Sequence, residues 1–162
     1  MKRFFPLLLL MTTLTAWANE WDAATYQQIE QSIQTPQFAD KVFLITKYGA
    51  VPDNLADKKL TVRQKAADNQ KAIQKAIDKC SKKGGGRVVV PAGCKFLTGA
   101  IHLKSGVNLE VQDGAVLEFV FEPELYPVVE TSWEGLDCYN LSPCIYAFGQ
   151  HDIAITGSGT RS

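Results

Sequence analysis

The spacing of apolar residues changes partway along the chain. From Asp68 to Lys83, Ala72, Ile73, Ala76, Ile77 and Cys80 recur at helical steps, with Lys71, Lys75, Asp78 and Lys79 on the other faces. That pattern predicts a one-sided helix over 68–83, with Asp68 as its N-cap. Lys82 and Lys83 complement the negative end of the helix dipole, and Gly84 supplies a left-handed stop. Beyond Gly84 the period shortens, and 88–90, 96–97, 101–103, 107–111, 115–119, 145–147 and 153–155 read as short strands. They are parted by turn formers such as Pro91-Ala92-Gly93, Ser105-Gly106 and Asp113-Gly114. No helical pattern separates them, so the expected arrangement is a coil of stacked parallel strands. In "GVNLEVQDGAVLEFV" the alternation turns Val107, Leu109 and Val111 inward and Asn108, Glu110 and Gln112 outward. A coil of this kind has open ends, and the one-sided helix is placed to cover the first of them.

The stretches before this helix carry weaker signals. Trp21, Tyr26, Ile29 and Ile33 have helical spacing after an Asp22 cap, 42–45 is a short β-branched and aromatic run, and "LADKKLTVRQK" reads as a charged surface loop. The first residues differ in kind. Lys2 and Arg3 precede an apolar run from Phe4 to Leu14, followed by Ala16-Trp17-Ala18, a small-x-small cleavage site. This predicts a secretory signal peptide over 1–18, too short to span a bilayer as a stable helix. An N-terminal extension follows over 19–41, and the cap and coils occupy 42–162. The protein is expected to be exported, periplasmic or extracellular, with no membrane association after cleavage.

Composition narrows the partners. The 162 residues carry 17 Lys plus Arg against 17 Asp plus Glu, so no net charge draws the chain to nucleic acid or to an anionic membrane. Export permits disulfides, but four cysteines, Cys80, Cys94, Cys138 and Cys144, allow three pairings among which the sequence does not choose. Cys138 and Cys144 are close enough to close a small loop. There is no Cys-x-x-Cys pair and no finger-like placement of His102 or His151, so neither metal nor cofactor is expected.

The run "GGGRVVVPAG" raises the question of a phosphate loop. Such a loop runs from strand through glycines to a helix, so that helix-start amides meet the phosphate. Here the glycines end a helix and open a strand, which makes them a structural corner.

Taken in order, "YGAVPDN", "DNQKAIQKAIDKCSKKGGGRVVVPAG", "FLTGAIHLKSGVNLEVQDGAVLEF" and "YPVVETSWEGLDCYNLSPCIYAFGQHDIAITGSGT" resemble the N-terminal region of glycoside hydrolase family 28, the polygalacturonase-like enzymes. The resemblance covers 42–160. It implies an all-β fold, a right-handed parallel β-helix with an α-helical cap. It also implies inverting hydrolysis of α-1,4-galacturonan or a related pectic polysaccharide, which would be the chain's partner. The family's Asn-Thr-Asp, Asp-Asp, Gly-His-Gly and Arg-Ile-Lys blocks are not in this sequence. The chain is therefore expected to be the front part of a longer enzyme, inactive alone, with no catalytic residue of its own.

Inverting hydrolysis needs an acid and a base about 6.5–9.5 Å apart. Glu118, Glu122 and Glu124 read as a solvated surface cluster. Glu134 and Asp137 flank "WEGLDCYN", where an aromatic ring beside polar groups can hold a sugar. Trp133 and Glu134 are the candidate substrate contacts. His102 and His151 read as surface or stacking residues, and Arg87 and Lys104 as surface charges. A polysaccharide lyase on the same coil, using calcium held by clustered aspartates, and a glycan-binding coil without catalysis are the competing readings.

Overall fold

The computed structural model describes residues 23–162. The signal peptide expected over 1–18 and the Asp22 cap lie outside the described residues. The chain divides into two compact units, Met1–Thr35 and Pro36–Ser162. In the first, helix α1 spans Ala23–Ser32, within the stretch whose spacing predicts it.

The second unit begins with β1 (Val42–Leu44) and a helical turn at Ile45–Tyr48, and then the long helix α2 (Val62–Lys82). The helix starts earlier than its apolar stripe suggests. The N-cap is Thr61, not Asp68, and the second half of "LADKKLTVRQK", expected as a loop, forms the first turn. A capping box sets this start: the Gln64 amide donates to Thr61 Oγ1 at 3.2 Å, and the Thr61 amide donates to Gln64 Oε1 at 2.9 Å. Two helix-start amides are satisfied reciprocally by Thr-x-x-Gln, whereas Asp68 lies inside the helix and has none to cap.

At the other end the glycine run closes α2. The Gly84 amide donates to Ser81 O and the Gly85 amide to Cys80 O, both at 3.0 Å, with Gly84 at φ 82°. This is a Schellman arrangement, which consumes carbonyls the helix leaves unpaired. Gly85 then passes so close to the next turn that a Cβ there would meet the Gly106 carbonyl oxygen at 2.6 Å. The glycines are a corner because only they fit it.

After the corner the chain visits three small sheets in a fixed cycle. β2 (Gly86–Val90), β3 (Lys95–Thr98) and β4 (Ile101–His102) make one circuit. β5 (Val107–Val111) and β6 (Val116–Phe119) begin the next and pair in parallel on β2 and β3, with Val88 opposite Leu109 and Phe96 opposite Leu117. The chain then departs into β7 (Val128–Trp133) and β8 (Leu136–Leu141) before β9 (Ile145–Tyr146) returns to lie parallel on β4. β10 (Ala154–Thr156) and β11 (Thr160–Arg161) add a third layer on β5 and β6. Every pairing in the three cyclic sheets is parallel. The antiparallel hairpin β7–β8 is a departure from the expected coil of parallel strands.

The core lies between α2 and the stacked strands. Ile73, Ala76, Ile77 and Cys80 from the helix pack with Val88, Val90, Phe96, Ile101, Leu109 and Leu117. Val107, Leu109 and Val111 point inward as their alternation predicts, each fully buried. Asn108, expected outward, is also buried; Thr156 Oγ1 donates to its Oδ1 at 2.8 Å from the layer above. Stacking buries an outward side chain when a neighbour in the next layer covers it.

Polar side chains of α2 do a second job. Asn69 Oδ1 accepts from the Val51 amide at 2.7 Å, while its Nδ2 donates to Val51 O at 3.1 Å and Leu97 O at 3.0 Å. Gln74 holds the edge of β4 through both backbone groups of one residue, accepting from the His102 amide at 3.0 Å and donating to the His102 carbonyl at 2.9 Å. Gln70 donates to Ala100 O and Leu125 O, both at 2.8 Å. These amides satisfy backbone groups that a bare sheet edge would leave open. Among the described residues no helix is long and apolar enough to cross a membrane.

Candidate functional site

The candidate sugar contacts, Trp133 and Glu134, lie at the tip of the β7–β8 hairpin. Trp133 and Leu136 close the ladder, and Glu134-Gly135 forms a two-residue turn with φ 49° and 84°. Positive φ at both central residues is the turn that matches the twist of a hairpin. Gly135 was the sequence signal for it, weakened because Glu replaces the usual Asn or Asp. Glu134 thus has a backbone role in addition to a carboxylate in open solvent.

The ladder decides which side chains share a face. Partners opposite one another project to the same side and successive residues alternate. Trp133, Leu136 and Cys138 therefore share one face, and Asp137, Tyr139 and Leu141 the other. Trp133 is 70% exposed and Tyr139 75%. The two aromatics sit on opposite faces and do not form one platform. The hairpin is also acidic, with Glu130, Glu134 and Asp137 and no Lys or Arg between Lys104 and Arg161.

At the foot of the hairpin is an apolar cavity of about 320 Å³, lined by Phe119, Val120, Phe121, Tyr126, Leu141 and Ser142 among others. Tyr126 donates its hydroxyl to Val120 O at 2.9 Å; burial, and then the neighbouring Cys144, pushes its pKa up. The Ser142 hydroxyl is buried there with no partner among the described residues.

The remaining candidates are held elsewhere. Glu118 pairs with Lys95 at 2.6 Å and Glu124 with Arg63 at 3.7 Å, and Glu122 lines the cavity. Arg87 pairs with Glu110 at 2.8 Å across adjoining strands. His151 Nδ1 lies 2.8 Å from Asp152 in an exposed corner. His102 stacks against Tyr146 of the next layer with ring centroids 5.2 Å apart; burial first, and Lys104 second, lowers its pKa and holds the imidazole neutral. All four cysteines are free thiols, and burial pushes Cys80 up to about 11 against the opposing effect of Lys41. A thiol so buried is a packing residue rather than a nucleophile. Among the described residues no group of three or more His, Cys, Asp or Glu side chains is placed to hold a metal ion.

No family profile matches the chain, and no curated protein does. Solved structures do. A hyperthermoactive exopolygalacturonase from Thermotoga maritima is 38% identical over 83% of this chain, with a TM-score of 0.69. A family 28 exopolygalacturonase from Yersinia enterocolitica is 32% identical over 76%, with a TM-score of 0.59. A candidate glycosyl hydrolase from Parabacteroides merdae is 30% identical over 72%, with a TM-score of 0.54. The chain spans 28%, 21% and 42% of the lengths of these three. Over that part of their length, the chain is polygalacturonase-like and similar in sequence and fold to family 28 glycoside hydrolases.

Proposed function

We propose that the chain forms the capped opening turns of a right-handed parallel β-helix in an exported glycosidase, one that hydrolyses α-1,4-galacturonan or a related pectic polysaccharide with inversion. The observation that carries this reading is the identity to two exopolygalacturonases over most of the chain. The parallel stacking of β5 on β2 and β6 on β3, at the same sequence offset, supports the coil.

In this reading the described residues supply scaffold. The acid that protonates the leaving oxygen and the base that activates water come from further turns, since the family's aspartate blocks are not in this sequence. The hairpin contributes a sugar contact through Trp133 and Glu134. Trp133 would stack on a pyranose face, and Glu134 would accept from ring hydroxyls. Because the hairpin is acidic, it suits a neutral or esterified ring better than a bare uronate, whose charge it would repel.

Sequencing the coding DNA beyond the Ser162 codon in all frames tests the reading. Asn-Thr-Asp, Asp-Asp and Gly-His-Gly blocks are expected; clustered aspartates without them would replace the hydrolase by a lyase. The 162-residue chain alone should release no reducing sugar from polygalacturonate, and turnover above a boiled control would overturn its role as scaffold. Export is checked by sequencing the N-terminus of the secreted protein, expected near Asn19.

A further inference from the structure

Charge is unevenly placed along this neutral chain. Apart from Lys2, Arg3 and Arg161, every Lys and Arg lies between Lys41 and Lys104. Several of these have acidic partners: Arg63, Lys65, Arg87 and Lys95 all make ion pairs. Lys71, Lys75, Lys79 and Lys82 have none among the described residues, and all four are exposed on α2.

These lysines face a groove. One depression of about 640 Å³ is lined by Tyr48, Lys71, Lys75, Lys79 and Lys82. A second, of about 420 Å³, shares Lys71, Gln74 and Asp78 with it and continues to His102 and Lys104. Among the described residues Asp78 is the one carboxylate lining either depression, and its Oδ1 already accepts from Gln74 Nε2 at 3.0 Å. At a rise of 1.5 Å per residue, Lys71 to Lys82 spans roughly 16 Å of helix, several times the width of a pyranose ring. The helix backbone is rigid here, tied to the strands by Asn69, Gln70 and Gln74, so the ammonium groups hang from a fixed rail.

We propose that this groove along α2 binds a polyuronate chain, holding acidic polysaccharide at a site separate from the hairpin. The inference rests on the pectic reading above and deepens it: the acidic hairpin takes an uncharged ring, and the lysine rail takes carboxylates. A row of unpaired cations matches a polymer that carries a carboxylate on each ring. Each contact is weak, because exposed ion pairs are screened and cost side-chain entropy, but several acting together on one polymer add up. Tyr48 provides a ring face at the same groove.

The test is affinity electrophoresis of the full chain in gels containing polygalacturonate, fully methyl-esterified pectin or dextran sulfate. Polygalacturonate should retard the chain, and esterified pectin should not. The quadruple variant Lys71→Ser/Lys75→Ser/Lys79→Ser/Lys82→Ser should lose retardation by about tenfold or more, as four exposed pairs imply. Lys58→Ser/Lys59→Ser, on the preceding loop, should behave as wild type. Far-UV circular dichroism checks the helix, and the corresponding Lys→Gln variant replaces the serine one if helicity falls. Equal retardation of wild type and variant overturns the site. So does dextran sulfate binding as tightly as polygalacturonate, which would make the lysines an unspecific solvated face. If downstream coding sequence shows the hydrolase blocks but polygalacturonate does not retard the chain, the groove alone fails. Retardation without those blocks removes the hydrolase and leaves the groove.

Discussion

The cap with its first circuit and the β7–β8 hairpin are both built from short apolar runs, yet one is closed and the other open. Ile73 and Ile77 of α2 and Val88 and Phe96 of the first circuit are fully buried because helix and strands close on one another, with β5 and β6 stacked on β2 and β3. Trp133, Leu136 and Tyr139 are exposed because each hairpin strand pairs only with the other and no layer covers the ribbon. Ile155, stacked on fully buried Leu109, is between the two cases at 42% exposed. The same kind of side chain is core or surface according to how many layers flank it, and a lone two-stranded ribbon has little independent stability. Stability in this unit therefore resides in the cap and first circuits rather than in the hairpin.

The comparison is sharpest in the response to truncation. Ile77→Ala should destabilise by about 4 kcal/mol in urea unfolding, whereas Leu136→Ala on the hairpin should stay within about 0.5 kcal/mol. Equal effects would mean that the hairpin is packed in solution. Next comes Asn69→Ala, expected to cost about 3 kcal/mol because it leaves the Val51 amide and carbonyl and the Leu97 carbonyl without their partner. Thr61→Ala should cost about 1 kcal/mol and Asp68→Ala much less, which tells the true cap from the one the apolar stripe suggests.

The smallest effect is in pH. His102 has a folded pKa lowered from 6.5, so it takes up its proton more readily in the unfolded chain. Its contribution to stability is complete above the unfolded value and is lost as pH falls through the folded one. The urea midpoint should decline as pH drops below about 6.5, and His102→Gln should flatten that decline. No change between wild type and variant would remove His102 as the cause.

Local signals carried far in the cap. The Ala72-Ile73-Ala76-Ile77-Cys80 stripe and the Gly84 stop predict the buried face and the end of α2, and each later strand falls on a predicted apolar run apart from β7, β8 and β11. The misses have local causes. Thr61 and Gln64 spell a capping box that the charged residues around them obscured. The hairpin leaves no strand signal because Glu-Gly is an uncommon two-residue turn and neither strand has the clean alternation of a one-sided sheet. The candidate contacts at Trp133 and Glu134 were legible as residue types, but their shared turn was not.

The sequence by itself determined the change from helical to strand period, the corner at Gly84–Gly86, the even balance of total charge and the resemblance to polygalacturonase-like enzymes. These depend on residue type and near neighbours along the chain. Tertiary structure alone decided that Asn69, Gln70 and Gln74 would close strand edges, that Asn108 would be buried, that Trp133 and Tyr139 would part to opposite faces, and that four lysines would share one groove without acidic partners among the described residues. Each of these depends on what lies across from a side chain in the next layer, and contacts between residues far apart in sequence leave no local period to read.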